Sequence, residues 1–254
     1  MAKVLKKIVF ISHITEEARL AKILKELIED SFLGLIEVFV SSDEESILAG
    51  SRWLENITDS LKGCALELIL CSPESVKRPW INFEAGAGWV RDIPVIPICH
   101  SGMEPNMLPI PLNMLQAVKA SEISQLKLLL PVLSSALESK TPKIDLNDFV
   151  ESVKEFEEDN MFWSKLNESF AQLELIIPNI TSAIKVHDVV QISLPQDIVQ
   201  QIEGILNRFL TPKNFLTLRR TGSSSITPNG FFMECEFIKG SHLSTLFQDK
   251  RFKI

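Results

Sequence analysis

"ALELILCSPESVKRPWINFEAGAGWVRDIPVIPIC" (residues 65–99) decides the fold. Its two ends, "ALELILCS" (65–72) and "IPVIPIC" (93–99), are short runs that are apolar almost throughout. Strands of that kind are buried on both faces, which is the habit of a parallel sheet, and parallel neighbours need a helical crossover between them. The middle supplies one. Pro79 suits a first helical turn, where its fixed φ fits and its missing N–H would have no partner. The segment therefore reads as strand, helix, strand.

Inside that helix, Trp80 and Glu84 stand four residues apart and share a face. "AGAG" (85–88) follows at a cost of about 1 kcal/mol of helix propensity per glycine against alanine. Such small residues imply a close approach of the helix to the sheet or to a neighbouring backbone. Trp89 is expected to fill core or interface space.

The same alternation extends outward. "KIVFIS" (7–12) is a first strand, and residues 15–32 form an amphipathic helix with Thr15 as N-cap and Glu16 and Glu17 in its first turn. Leu20, Ile23, Leu24, Leu27 and Ile28 make its apolar stripe. "IEVFVS" (36–41) is a second strand, "RWLENITDSLKG" (52–63) a helix ended by Gly63, and "LQAVKAS" (115–121) a short fifth strand. A leucine-rich helix then runs to about Ser139. The prolines of 93–99 place that strand near an edge. Right-handed crossovers give an α/β, doubly wound, flavodoxin-like domain with a five-stranded parallel sheet. Ligands in such folds sit beyond the carboxyl ends of the strands, here Ser12–His13, Ser41–Asp43 and Ser72–Pro73.

"SKTPKI" (139–144) reads as a linker, giving domains 1–139 and 140–254. The second is expected to be a smaller α+β domain. It comprises a long helical stretch or helix pair over 145–176, a strand at 185–194 and a helix from Pro195. A hairpin, "FLTLRR" and "FFMECEFI", flanks "TGSSSITPNG" (221–230) as a long loop. A winged-helix-like module with "RRTGSSS" (219–225) as a basic tip is the alternative to an accessory sensor or oligomerisation domain, and the acidic balance favours the latter.

Charge and composition narrow the function. A net charge of −7 argues against a nucleic-acid surface, which needs a basic stripe. No apolar run is long enough to span a bilayer, and the basic start before "IVFI" fits a first strand better than a signal sequence. Four cysteines without a C-x-x-C pair argue against a disulfide framework or zinc site and for a reducing cytoplasm. The four histidines lie outside metal-ligand spacings. No P-loop or G-x-G-x-x-G is present, so a nucleotide here would be substrate and not a resident cofactor. His100 beside Ser101 lacks the G-x-S-x-G elbow of a serine hydrolase.

"FISH" before an acidic helix start, "VFVSSD", "LILCSPES", "PW..FE.GAGW" and "IPVIPICHSGM", in this order, resemble a TIR domain over residues 5–135, in particular TIR proteins of bacterial antiphage defence. Trp80 and Glu84 match the family's W-x-x-x-E pattern. The resemblance implies cleavage of NAD+ at the nicotinamide–ribose bond, with Glu84 as the catalytic carboxylate and Trp80, Ser12, His13, Ser41 and Asp43 binding substrate. It also implies that the loop from Asp43 to Gly50 moves over the pocket, that Trp53 packs beneath it, and that homo-oligomers form through TIR–TIR contacts. Products would be nicotinamide with ADP-ribose or a cyclic ADP-ribose isomer, and the C-terminal domain would take an activating ligand or partner protein. A non-enzymatic TIR scaffold is the alternative, and a deoxyribosyltransferase-like enzyme a third.

Overall fold

The computed structural model describes residues 7–41, 61–227 and 230–254. The predicted helix over 52–63 lies outside them except for its last residues, as do Asp43, Gly50 and Trp53. Two compact units divide the chain, residues 1–160 and 161–254.

In the first unit, β1 (Ile8–Ser12), β2 (Glu37–Val40), β3 (Cys64–Cys71), β4 (Val95–Cys99) and β5 (Val118–Lys119) form a five-stranded sheet in the order β2-β1-β3-β4-β5. Every pairing is parallel, as the uniformly apolar strands required. β3 and β4 are almost wholly buried, and β4 stands one strand from the edge, beside the two-residue β5. Among the described residues, helices that accompany the sheet include α1 (Ala18–Ser31), α2 (Pro79–Val90), α3 (Ile123–Ala136) and the start of α4 (Asn147–Ile176).

β3 shows how alternate faces are used. Leu66, Leu68 and Leu70 face a core that also takes Leu20, Leu24 and Ile28 of α1 and Leu126, Leu129 and Leu133 of α3. Each such side chain contributes about 1.5–3 kcal/mol on burial. The opposite face carries Glu67, Ile69 and Cys71. There Ile69 and Cys71 pack with Ile81 and Ala85 of α2 and Val95 and Cys99 of β4. So α2 lies over the face of β3 that contains an acid.

Several expectations are corrected. The α-helix of α1 starts at Ala18, after a 3-10 turn over Thr15–Glu17, and Thr15 is not its cap. Glu17 is fully buried and accepts a hydrogen bond from Ile14 N at 3.2 Å, closing the strand-to-helix turn from within. The unit boundary lies beyond the linker 139–144, because Leu146, Phe149, Val150, Val153 and Phe156 bury their side chains in the first core. Polar linker composition marked a turn, while the apolar stripe after it remained part of the same domain.

The second unit contains the remainder of α4, then α5 (Ile180–Val186), β6 (Val189–Pro195), α6 (Gln196–Arg208), β7 (Leu216–Thr227), β8 (Gly230–Lys239) and α7 (Leu243–Leu246). Its antiparallel sheet has the order β6-β8-β7, with Trp163, Leu166, Phe170 and Leu173 of α4 and Val199, Ile202 and Leu206 of α6 in its core. The smaller α+β domain is therefore present. Its hairpin differs from expectation: β7 runs through "TGSSSIT" as a strand, with a register shift between Arg220 and Ser224 where Gly222 has φ +86°. A glycine in that backbone region is free of the strain an L side chain would meet. Serines and glycine suggested a loop, and cross-strand pairing overrode them. The basic tip also dissolves, since Arg219 pairs with Glu236 and Arg220 forms a two-pronged pair with Glu203 at 2.9 and 2.7 Å.

Among the described residues no helix is long and apolar enough to cross a membrane. All four cysteines are buried free thiols.

Candidate active site

α2 is aimed by its own sequence. Pro79 opens it, and Ile81, Glu84, Ala85 and Gly88 form the buried face against β3 and β4. At Gly88 the approach is so close that an added Cβ would overlap Glu67 Oε2 and lie 2.6 Å from Val95 Cγ2. Gly86 faces open space, so only one of the two glycines answers to packing. Trp89 is half exposed and lies outside the core.

The N-terminal half of α2 meets the carboxyl ends of β1 and β2 at Glu84, which is completely buried. Trp80 Nε1 donates to Glu84 Oε1 at 2.8 Å, one helical turn apart. Ser12 Oγ, at the end of β1, donates to Glu84 Oε2, and Ser41 Oγ, just past β2, reaches the same oxygen at 3.3 Å. Three of the predicted binding residues, Ser12, Ser41 and Trp80, thus converge on the predicted catalytic acid. Donors on both oxygens favour the ionised carboxylate and counter the cost of burying its charge. Trp80 also stacks on Phe83, with ring centroids 5.1 Å apart.

His13 is buried, and its Nδ1 lies 2.6 Å from Ile14 O, which requires the proton on Nδ1. It also lines an open surface groove with Ala18, Lys22, Lys25, Glu37 and residues 38–40. Asp43 lies outside the described residues.

Two buried groups escaped the sequence reading. Glu17 Oε1 accepts from Ser72 Oγ at 2.7 Å and lies 3.1 Å from His100 Nε2. His100 Nδ1 is 3.0 Å from Ser101 Oγ, and Ser101 takes an Asn160 donor at 3.0 Å and gives its N–H to Glu157 at 3.1 Å. Glu, His and Ser in a row resemble a triad in connectivity, but here the chain staples the loop ends after β1, β3 and β4 to α4. The signal available in sequence was the acid Glu17 in the turn between β1 and α1.

The second is Glu67, in the middle of β3. Both carboxyl oxygens are buried without a hydrogen-bond partner among the described residues. Burial, reinforced by the charge of Glu84 and partly offset by Arg91, raises its pKa from 4.5 to about 9. It is therefore a neutral acid at neutral pH. The odd acid in "ALELILC" was its signal.

Among the described residues no group of three or more His, Cys, Asp or Glu side chains converges to hold a metal ion. Residues 9–130 match the family model of the TIR domain. A search of curated proteins gave no match. The first unit thus carries a TIR domain with its five-stranded parallel sheet, and the segment that follows residue 130 lies outside the matched region.

Proposed function

We propose that the TIR domain cleaves NAD+ at the nicotinamide–ribose bond, with Glu84 as the working carboxylate. The observation that carries this reading is the convergence of Ser12, Ser41 and Trp80 on Glu84 at the carboxyl ends of β1 and β2. Loss of a cationic nicotinamide leaves oxocarbenium character on the ribose and needs no acid to protonate the leaving group. What the reaction needs is a fixed negative charge beside the ribose. Glu84 supplies it, and ribose hydroxyls would take the places that the Ser12 and Ser41 hydroxyls occupy. Trp80 orients the carboxylate and keeps water from its far side. NAD+ is substrate here, not cofactor, and the second product is ADP-ribose where water attacks the ribose, or an isomer of cyclic ADP-ribose where a group of the same molecule attacks it.

In the cell such a protein would act as a bacterial antiphage effector of the cytoplasm. Assembly through TIR–TIR contacts would complete the site, and a ligand or partner protein at the C-terminal domain would trigger it. The test is nicotinamide release by the full chain, with Glu84→Gln as control. Glu84→Gln is expected to abolish release while thermal unfolding stays cooperative. Full release by that variant overturns the assignment.

A second reading, a TIR scaffold without enzymatic activity, is favoured by a different observation. Phe83, Trp89 and Val90 are exposed on the outer side of α2, a surface suited to self-association. An assembly that forms equally with Glu84→Gln, while NAD+ levels remain constant, would support it.

A further inference from the structure

Glu67 is a costly residue to keep where it is. A leucine in its place would match the rest of the strand, and burying a carboxyl with neither oxygen hydrogen-bonded is unfavourable in either protonation state. Its surroundings are nonetheless shaped to admit it. Gly88 is the position of α2 that faces it, and any side chain there would overlap the Glu67 carboxyl.

Strand register and helix period place this group relative to Glu84. Ser12, which donates to Glu84, is paired with Ile69, and Glu67 stands two residues earlier on the same face of β3, paired with Phe10. Two residues of strand span about 7 Å. On the helix side, Glu84 and Gly88 are one turn apart, about 6 Å along the axis. The two carboxyls are therefore neighbours beneath one helix, within each other's field and out of water.

Their hydrogen bonding is opposite. Glu84 carries donors from Ser12, Ser41 and Trp80, all of which stabilise its ionised form. Glu67 has none among the described residues. Two like charges this close in a dry site do not both ionise at neutral pH, and the proton goes to the member without donors. We propose that Glu67 is a positioning residue that holds the proton of a two-carboxyl pair, so that Glu84 holds the charge and α2 stays seated on β3. This rests on the reading of Glu84 as the working carboxylate.

The groups that face Glu67 among the described residues are consistent with this assignment. From α2 come Glu84, which opposes its ionisation, and Arg91 at the helix end, which favours it. Arg91 is already committed to Leu61 O and Cys64 O, the latter at 3.0 Å, so it does not neutralise Glu67 directly. Cys64 on the same strand has its thiol raised, chiefly by burial, and is neutral as well. Val95 of β4 and Phe10 of β1 are apolar. Ionisation of Glu67 therefore puts a second, unsolvated negative charge beneath α2, and the site loses its working state on the alkaline side.

The pair can be read without any enzymatic assay. In the full chain labelled with [13Cδ]glutamate, Glu67 is expected to give a carboxyl resonance titrating near pH 9 that is missing in Glu67→Gln. In Glu84→Gln its midpoint is expected to fall, because the like charge is gone. A Glu67 resonance titrating with ordinary carboxylates near 4.5, or a midpoint indifferent to Glu84→Gln, overturns the proposal. Nicotinamide release adds the functional arm. The wild type should lose roughly tenfold of its rate between pH 8 and 10, as the neutral fraction of a group with a pKa of about 9 does. Glu67→Gln should show a flat ratio across that interval, and an unchanged alkaline limb overturns the positioning role. If no nicotinamide is released at any pH, the NADase reading fails while the two resonances still decide the pair.

Discussion

Replacing Glu67 by glutamine should make the first domain more stable, and more so as the pH rises. Glutamine keeps the shape of the protonated acid and leaves similar unmade hydrogen bonds, so the comparison isolates ionisation. The folded-state pKa is raised from 4.5 to about 9. The stability that Glu67 allows the wild type is thus fully present below pH 4.5 and is lost as the pH climbs toward 9, because the unfolded chain releases the proton and the folded chain does not. The slope is about 1.4 kcal/mol per pH unit. At pH 7, 2.5 units above 4.5, the wild type is disfavoured by about 3 kcal/mol, a large share of the 5–15 kcal/mol typical of a domain. The assay is protection of the β3 amides (Cys64–Cys71) from hydrogen exchange in wild type and Glu67→Gln, which follows the first domain alone. The gap in opening free energy should be under about 1 kcal/mol at pH 5 and grow steadily to pH 8. A constant gap over that range refutes the argument, since a purely steric effect of the substitution does not depend on pH.

Gly88→Ala should destabilise by about 1–3 kcal/mol despite the better helix propensity of alanine, because its Cβ meets Glu67 and Val95. The double variant with Glu67→Ala should recover most of the loss in urea unfolding. Trp80→Phe removes the indole N–H that holds Glu84 Oε1 and should lower kcat for nicotinamide release about 10- to 100-fold, the weight of a hydrogen bond to a charged group. Glu17→Ala leaves the Ile14 N–H buried without its acceptor and the Ser72 hydroxyl with only the longer contact to Ser75 Oγ, and should cost about 1–3 kcal/mol by the same unfolding measurement.

Much of this protein was legible before any coordinates. Uniformly apolar strands separated by amphipathic helices imply parallel pairing, because burial on both faces leaves no room for alternation. Right-handed crossovers then give a doubly wound sheet, while the order β2-β1-β3-β4-β5 is supplied by the folded structure. Trp80 and Glu84 were legible as a pair, since a four-residue spacing within a helix is a local geometric fact. What local pattern does not carry is which buried groups meet across the sheet. Ser12, Ser41 and Glu84 come from three distant segments, and only register and helix placement bring their oxygens together. The role of Gly88 depends on Glu67, two elements away, and Gly86 shows that the same residue type two positions earlier has no such partner. The domain boundary and the strand through "TGSSSIT" belong to the same class, for packing and cross-strand pairing outweighed the polarity of the linker and the serines. Short-range periodicity determines elements, whereas the protonation and contacts of a buried acid depend on neighbours that only the folded chain assembles.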